Sequence, residues 1–171
     1  MRIETNLQPN CSELGLRLNT EDVSKAVKIL RKIGLKVVVS YKDKDYIDMA
    51  PSLIGLIIDK FRSIEGQAGK VERFAKVKEI PEELKEVWLA DDRDIHEVGV
   101  YVEDKKGCTA QLQRGDYCIG GRLVTLQIGD CDREKFPLFK YVEDNAKSEV
   151  YGIDGGHMDR YEEYKESHHG R

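Results

Sequence analysis

Two hydrophobic periodicities alternate along the first half of this chain, and that alternation limits the folds open to it. Leu14–Leu18 and Leu35–Ser40 are typical of strands, because the first alternates apolar residues and the second is rich in β-branched ones. Between them, apolar residues recur at helical spacing: Val23, Ala26, Val27, Leu30 and Ile33. Asn19 or Thr20 can cap this predicted helix, and Gly34 can end it.

The same alternation continues to residue 78. A polar turn at 42–45 precedes a predicted strand at 46–49, Pro51 opens a second helix, and residues 71–78 alternate as a further strand. The resulting order, β-α-β-β-α-β, is that of a ferredoxin-like sandwich. We therefore predict an α+β protein in which residues 1–79 form a ferredoxin-like module.

The second half is predicted to be richer in strands. Residues 80–94 contain a linking helix that begins at Pro81 and an acidic loop, and we place a module boundary there. Residues 95–171 then form a mainly antiparallel module with a charged C-terminal tail, with strands at 96–102, 108–113 and 122–128 and further candidates at 138–142 and 149–153. Whether the two halves share one sheet is left open by the sequence.

Charge is distributed unevenly between these halves. Residues 1–79 have 15 Lys and Arg against 11 Asp and Glu, a net charge of +4, whereas residues 80–171 have 13 against 21, a net charge of −8. Such asymmetry suits a surface that selects its partner by charge, although solvated faces also differ by chance. With no apolar run long enough for a bilayer and no apolar leader, we expect a cytoplasmic protein without a membrane partner.

Three of the four cysteines fall in one stretch, at Cys108, Cys118 and Cys131. A structural zinc site usually has pairs of cysteines two to four residues apart, and this stretch has none. Reducing conditions in the cytoplasm disfavour disulfides. Asp130 and Asp132 flank Cys131 and make it a poor nucleophile. We therefore interpret the stretch as strands, and we predict neither a metal nor a cofactor.

A glycine-rich loop at 152–159 is the most site-like segment. Asp154, His157 and Asp159, with His96 elsewhere in the chain, are residue types that bind a metal or transfer protons. This loop supports an alternative hypothesis, that of a metal-assisted enzyme or small-ligand-binding protein. A tight turn with polar side chains in water explains the same residues.

Two further sets of residues suit a macromolecular partner. The acidic loop offers Asp91, Asp92 and Asp94 to a basic groove, and Tyr161 and Tyr164 are candidate anchors, although these tyrosines are equally suited to packing the tail onto the sheet. A second alternative is nucleic-acid binding by the first helix, where three lysines share one face: Lys25, Lys28 and Lys32. Solvation explains the acidic loop and the lysines as well.

Motifs for phosphate binding, nucleophilic catalysis or zinc-dependent hydrolysis do not occur in the sequence. An enzyme is therefore the less favoured class. The leading hypothesis is a non-enzymatic regulatory or inhibitory protein that docks on a macromolecular partner, a protein or a nucleoprotein, and a homo-oligomer is compatible with it. Accessory proteins of phages and other mobile elements, including inhibitors of host defence systems, have this character.

Overall fold

The computed structural model describes residues 13–62, 98–114, 123–129, 132–155 and 158–168. They form an α+β fold in which seven strands make one antiparallel sheet and four α-helices accompany it. The strands are β1 (Glu13–Leu18), β2 (Lys36–Tyr41), β3 (Lys44–Tyr46), β4 (Val98–Glu103), β5 (Thr109–Arg114), β6 (Val124–Gly129) and β7 (Val150–Gly155). The helices are α1 (Val23–Lys32), α2 (Pro51–Arg62), α3 (Phe136–Ala146) and α4 (Met158–Ser167).

Strands from distant parts of the chain are neighbours in the sheet, whose order is β3-β2-β4-β5-β6-β1-β7. β1 lies between β6 and β7, with Leu16 opposite Leu126 on one side and Ile153 on the other. β2 lies between β3 and β4, and Val39 is opposite Val100. The first three strands and the last four therefore belong to one sheet.

The ferredoxin-like arrangement predicted for residues 1–79 is not confirmed. In such a module β1 pairs with strands of its own segment, whereas here both neighbours of β1 come from residues 124–155. Element order does not determine strand neighbours, because a strand has two edges and each edge pairs with the strand that completes the core. The predicted strand at 71–78 and the boundary at 80–94 lie outside the described residues, so the division into modules stays a prediction.

One face of the sheet is apolar and contributes most of the core. Alternate residues of the strands point to this face and are buried: Leu14, Leu16, Leu18, Val37, Val39, Val98, Val100, Val102, Ala110, Leu112, Val124, Leu126 and Ile128. The buried sides of α1, α2 and α3 belong to the same apolar cluster. Because each buried Val or Leu side chain stabilises the fold by about 1.5–3 kcal/mol, this face holds the strands in register.

The opposite face of the sheet is mainly polar. Gln127 Nε2 donates a hydrogen bond to Thr125 Oγ1 at 3.3 Å, and Thr125 Oγ1 donates to the Gln113 carbonyl at 3.3 Å. Thr125 and Gln127 are buried, so these bonds offset part of the loss of solvation. Tyr101 lies across Gly99 on this face, where a Cβ on residue 99 would collide with the tyrosine ring.

The two ends of α1 show why these residues form a helix here. Asp22, not Asn19 or Thr20 as predicted, is the N-cap, and its Oδ1 accepts from the Ser24 backbone N–H at 2.9 Å. At the other end the predicted stop at Gly34 is confirmed: its φ is +97° and its N–H donates to the Arg31 carbonyl at 3.0 Å. The Leu35 N–H donates to the Leu30 carbonyl at 3.1 Å, which completes a Schellman motif.

The prediction of a strand at 138–142 was wrong, because these residues lie in α3. Pro137 occupies the first turn, where its missing N–H does no harm. The buried residues of α3 recur at helical spacing: Phe136, Leu138, Phe139, Val142 and Ala146. Among the described residues, no helix combines the length and the apolar character needed to cross a bilayer.

Candidate functional site

The acidic residues predicted to bind a basic groove of a partner lie outside the described part of the structure. Asp91, Asp92 and Asp94 lie outside the described residues, as does His96. The proposal that the acidic loop docks on a partner therefore stays a prediction from the sequence.

Tyr161, predicted as an exposed anchor, is fully buried. Its ring meets Phe136 edge-on at 5.3 Å between centroids and Phe139 at 6.0 Å, and its hydroxyl donates to Glu143 Oε1 at 2.5 Å. Burial raises the pKa of Tyr161 well above its ordinary range, and the hydrogen bond to the Glu143 carboxylate raises it further. In this structure Tyr161 packs against α3 and is not exposed.

Tyr164 is half-buried and continues the same aromatic cluster. Its ring lies 5.7 Å from that of Phe136 and stacks on the His168 ring at 4.0 Å. Burial also raises the pKa of the Tyr164 phenol. Together with the ion pair between Lys165 Nζ and Glu143 Oε2 at 3.7 Å, these contacts pack α4 onto α3.

The loop predicted to bind a metal or a small ligand is described in part. Asp154 lies in β7 opposite Gly15, and Asp159 is exposed in the first turn of α4. His157 lies outside the described residues. In the part of the chain that the structure describes, no three His, Cys, Asp or Glu side chains are grouped as metal ligands.

Cys108 is the cysteine that the structure describes; it lies immediately before β5. Its Sγ donates to the Glu134 carbonyl at 3.6 Å, and its backbone N–H donates to Asp104 Oδ1 at 2.9 Å. Burial raises the pKa of the Cys108 thiol, and the Asp104 carboxylate adds to that effect. Both effects favour the protonated thiol, which donates to the Glu134 carbonyl.

The three lysines of the nucleic-acid alternative lie on α1. Lys25, Lys28 and Lys32 are all exposed on the side of α1 opposite its buried residues Val23, Ala26, Val27 and Leu30. At about 1.5 Å per residue, the three lysines span about 10 Å along the helix axis. A B-form strand presents about three phosphates over that length, at about 3.4 Å each. We call the surface formed by these three side chains the lysine face.

Two exposed apolar side chains border α1, and the sequence analysis predicted neither. Arg31 Nη2 donates to the Ile47 carbonyl at 3.0 Å, which places Ile47, 45% exposed, next to α1. The hydroxyl of Tyr141, 40% exposed, donates to the Ile33 carbonyl at the C-terminal end of α1. Tyr141 was hidden because its segment was predicted to be a strand. The position of Ile47 next to α1 cannot be predicted from the local sequence, because it results from the tertiary fold.

Acidic side chains lie at the N-terminal end of α1. Glu21 and Asp22 are exposed just before α1. The hydrogen bond from Ser24 lowers the pKa of Asp22, and Lys28 contributes a small further decrease. The last turn of α1 instead carries Arg31 and Lys32, whose positive charge complements the negative end of the helix dipole. The last turn of α1 therefore carries two positive charges, and its N-terminal end carries two negative ones.

Comparison with known proteins adds no relative to this geometry. No family model matches the chain, and neither a curated protein nor a solved structure matches it. Functional reasoning therefore depends on the described residues and their chemistry.

Proposed function

We propose that this protein is a regulatory or inhibitory protein that acts by docking on a macromolecular partner, and that the partner presents nucleic-acid phosphates to the lysine face. The observation that carries the proposal is the exposure of Lys25, Lys28 and Lys32 in one row on a helix whose opposite side is buried in the core. Rigid support of that kind holds charges in register with a polyanion without further ordering of the backbone.

The chemistry of the row favours phosphate over a protein carboxylate surface. Lysine ammonium groups neutralise phosphates as point charges and release the counterions condensed on nucleic acid, so affinity is gained without base recognition. Occlusion of a nucleic-acid segment would then regulate or inhibit whatever acts on it. A second, protein contact through Asp91, Asp92 and Asp94 stays a prediction from the sequence.

The test is nucleic-acid binding by charge-neutralised variants. We expect Lys28→Gln with Lys32→Gln to weaken binding to a fluorescein-labelled 20-nucleotide strand in fluorescence anisotropy. Glutamine has a helix propensity close to that of lysine and carries no charge, so α1 remains intact. The slope of log K against log salt should become shallower by about 1.4, because about 0.7 is lost for each phosphate contact to a single strand.

A matched control separates this face from total charge. Lys105 and Lys106 are exposed in the turn between β4 and β5, and Lys105→Gln with Lys106→Gln changes the net charge by the same amount. We expect this control to bind as the unmodified protein does. Equal affinities and salt slopes for the two double variants, or absence of binding by the unmodified protein, would contradict the proposal.

A further inference from the structure

Tyr141 lies at the C-terminal end of α1, the helix that carries the lysine face. Of the three large apolar side chains that are exposed in the described residues, Tyr101 lies on the polar face of the sheet, whereas Tyr141 and Ile47 border α1. Of the two that border α1, only Tyr141 has an aromatic ring, and its hydroxyl donates a hydrogen bond to the Ile33 carbonyl, one residue beyond Lys32. The ring therefore lies at the C-terminal end of the helix that carries the lysine face.

The hydrogen bond to Ile33 orients the ring while leaving much of it in water. Ile33 is the C-cap of α1, where carbonyls lack a partner within the helix, so the phenol satisfies a group that the helix leaves open. The ring remains 40% exposed. A purely structural cap needs the hydroxyl alone, whereas a ring held in place and partly open to solvent is suited to stacking.

We infer that Tyr141 is a stacking platform for an unpaired base and that the partner is single-stranded nucleic acid; this inference rests on the proposed function of the lysine face. In a duplex the faces of the bases are already stacked on one another, so the ring has nothing to contact. Single-strand-binding proteins combine a cationic track for the phosphates with aromatic rings for the bases. Lys28 and Lys32 on α1 would supply the cationic part, and Tyr141 at the end of the same helix would supply the ring.

The experiment compares a labelled 20-nucleotide strand with its duplex, using Tyr141→Leu and Tyr141→Phe. We expect the unmodified protein to bind the single strand more tightly than the duplex. Tyr141→Leu should weaken single-strand binding about tenfold, the worth of one base–aromatic stack, and leave duplex binding within about twofold. Tyr141→Phe keeps the ring and loses the bond to Ile33, and should stay within about threefold of the unmodified protein.

The ratio of the two affinities is the decisive readout, because a loss of structure at the end of α1 weakens both complexes together and leaves the ratio unchanged. If the unmodified protein and Tyr141→Leu have the same ratio while Lys28→Gln with Lys32→Gln still weakens binding, the stacking inference is overturned and the lysine face stands. If the lysine variant binds as the unmodified protein does, the proposed function itself fails. Absence of binding to either probe overturns both.

Discussion

At the scale of single residues, Tyr161 shows how burial decides the role of a side chain. Its phenol ring fills the space between Phe136 and Phe139, and its hydroxyl reaches Glu143. A buried hydroxyl needs such a partner, since desolvation without one is unfavourable by about 1–3 kcal/mol. The same residue type at position 141 has its hydroxyl satisfied by a carbonyl and keeps part of its ring in water.

We predict that Tyr161→Phe lowers the free energy of unfolding by about 1–2 kcal/mol at pH 7, because it removes a hydrogen bond to a charged acceptor while the ring stays packed. Denaturant titration followed by circular dichroism measures the change. Tyr164→Phe is the matched control, since Tyr164 is half-buried and packs through its ring, and it should remain within about 0.5 kcal/mol of the unmodified protein. Equal losses in the two variants would contradict this account of Tyr161.

A pH dependence follows from the raised pKa of Tyr161. The ordinary pKa of a tyrosine phenol is 10.0, and burial and the bond to Glu143 raise the pKa of Tyr161 in the folded protein. Above pH 10 the unfolded chain loses this proton while the folded protein keeps it, so the stability present below pH 10 falls as the pH rises. The slope from this group approaches about 1.4 kcal/mol per pH unit, and Tyr161→Phe should show a shallower decline between pH 10 and 11.

At the scale of elements, α1 owes its bounds to its two ends and its position to its apolar side. Asp22 accepts a hydrogen bond from a backbone N–H of the first turn, and the Schellman motif around Gly34 provides donors for the carbonyls of the last turn. Leu30 and Leu35, the two residues that this motif brings together, are both buried. The helix therefore ends where a turn into β2 is needed, and its lysines are left on the outside.

We predict that two glycine substitutions, one after α1 and one in α2, change the stability of the protein in opposite directions. Gly34→Ala should destabilise the protein by about 1–2 kcal/mol, because φ is +97° at this position and an L side chain is strained there. Gly55→Ala in α2 should stabilise it by up to about 1 kcal/mol through helix propensity, since a Cβ there lies 3.7 Å from Val23 Cβ, an ordinary contact. Thermal unfolding of both variants measures the two signs. Stabilisation by Gly34→Ala would refute the left-handed turn.

The element that sequence reasoning mistook, α3, shows where local patterns fail. Residues 138–142 contain Leu, Phe, Tyr and Val, all of which suit a strand, and a window of five residues is too short to separate the two periods. The wider spacing from Phe136 to Ala146 has the helical period. Because α3 carries Tyr141, that error also hid one part of the candidate site.

At the scale of the whole molecule, the sheet joins the two oppositely charged halves of the sequence. β1 is covered on both edges by strands from residues 124–155, and β2 pairs with β4 from residues 98–103. Removing either half would leave long unpaired edges and an uncovered apolar face. The two halves therefore depend on each other for stability.

We predict that residues 1–79 expressed alone do not fold, because both partners of β1 and the second partner of β2 are missing. Circular dichroism during heating should show no cooperative transition for this fragment, whereas the full chain should show one. A dispersed proton spectrum together with a cooperative transition for the fragment alone would mean that the predicted module is independent after all, and that the single sheet is not required for its folding.

The sequence by itself determined the α+β class, the positions of β1, α1, β2 and α2, and the row formed by Lys25, Lys28 and Lys32, since periodicity and capping act over a few residues. Only the tertiary structure decided that β1 lies between β6 and β7, that Tyr161 is buried, and that Tyr141 borders α1. The strand order and the position of Tyr141 depend on contacts between residues more than 100 positions apart, such as Tyr141 with Ile33, and many strand pairings satisfy the same local pattern. The burial of Tyr161 depends on the packing of α4 against α3. The burial of one continuous apolar face selects among them.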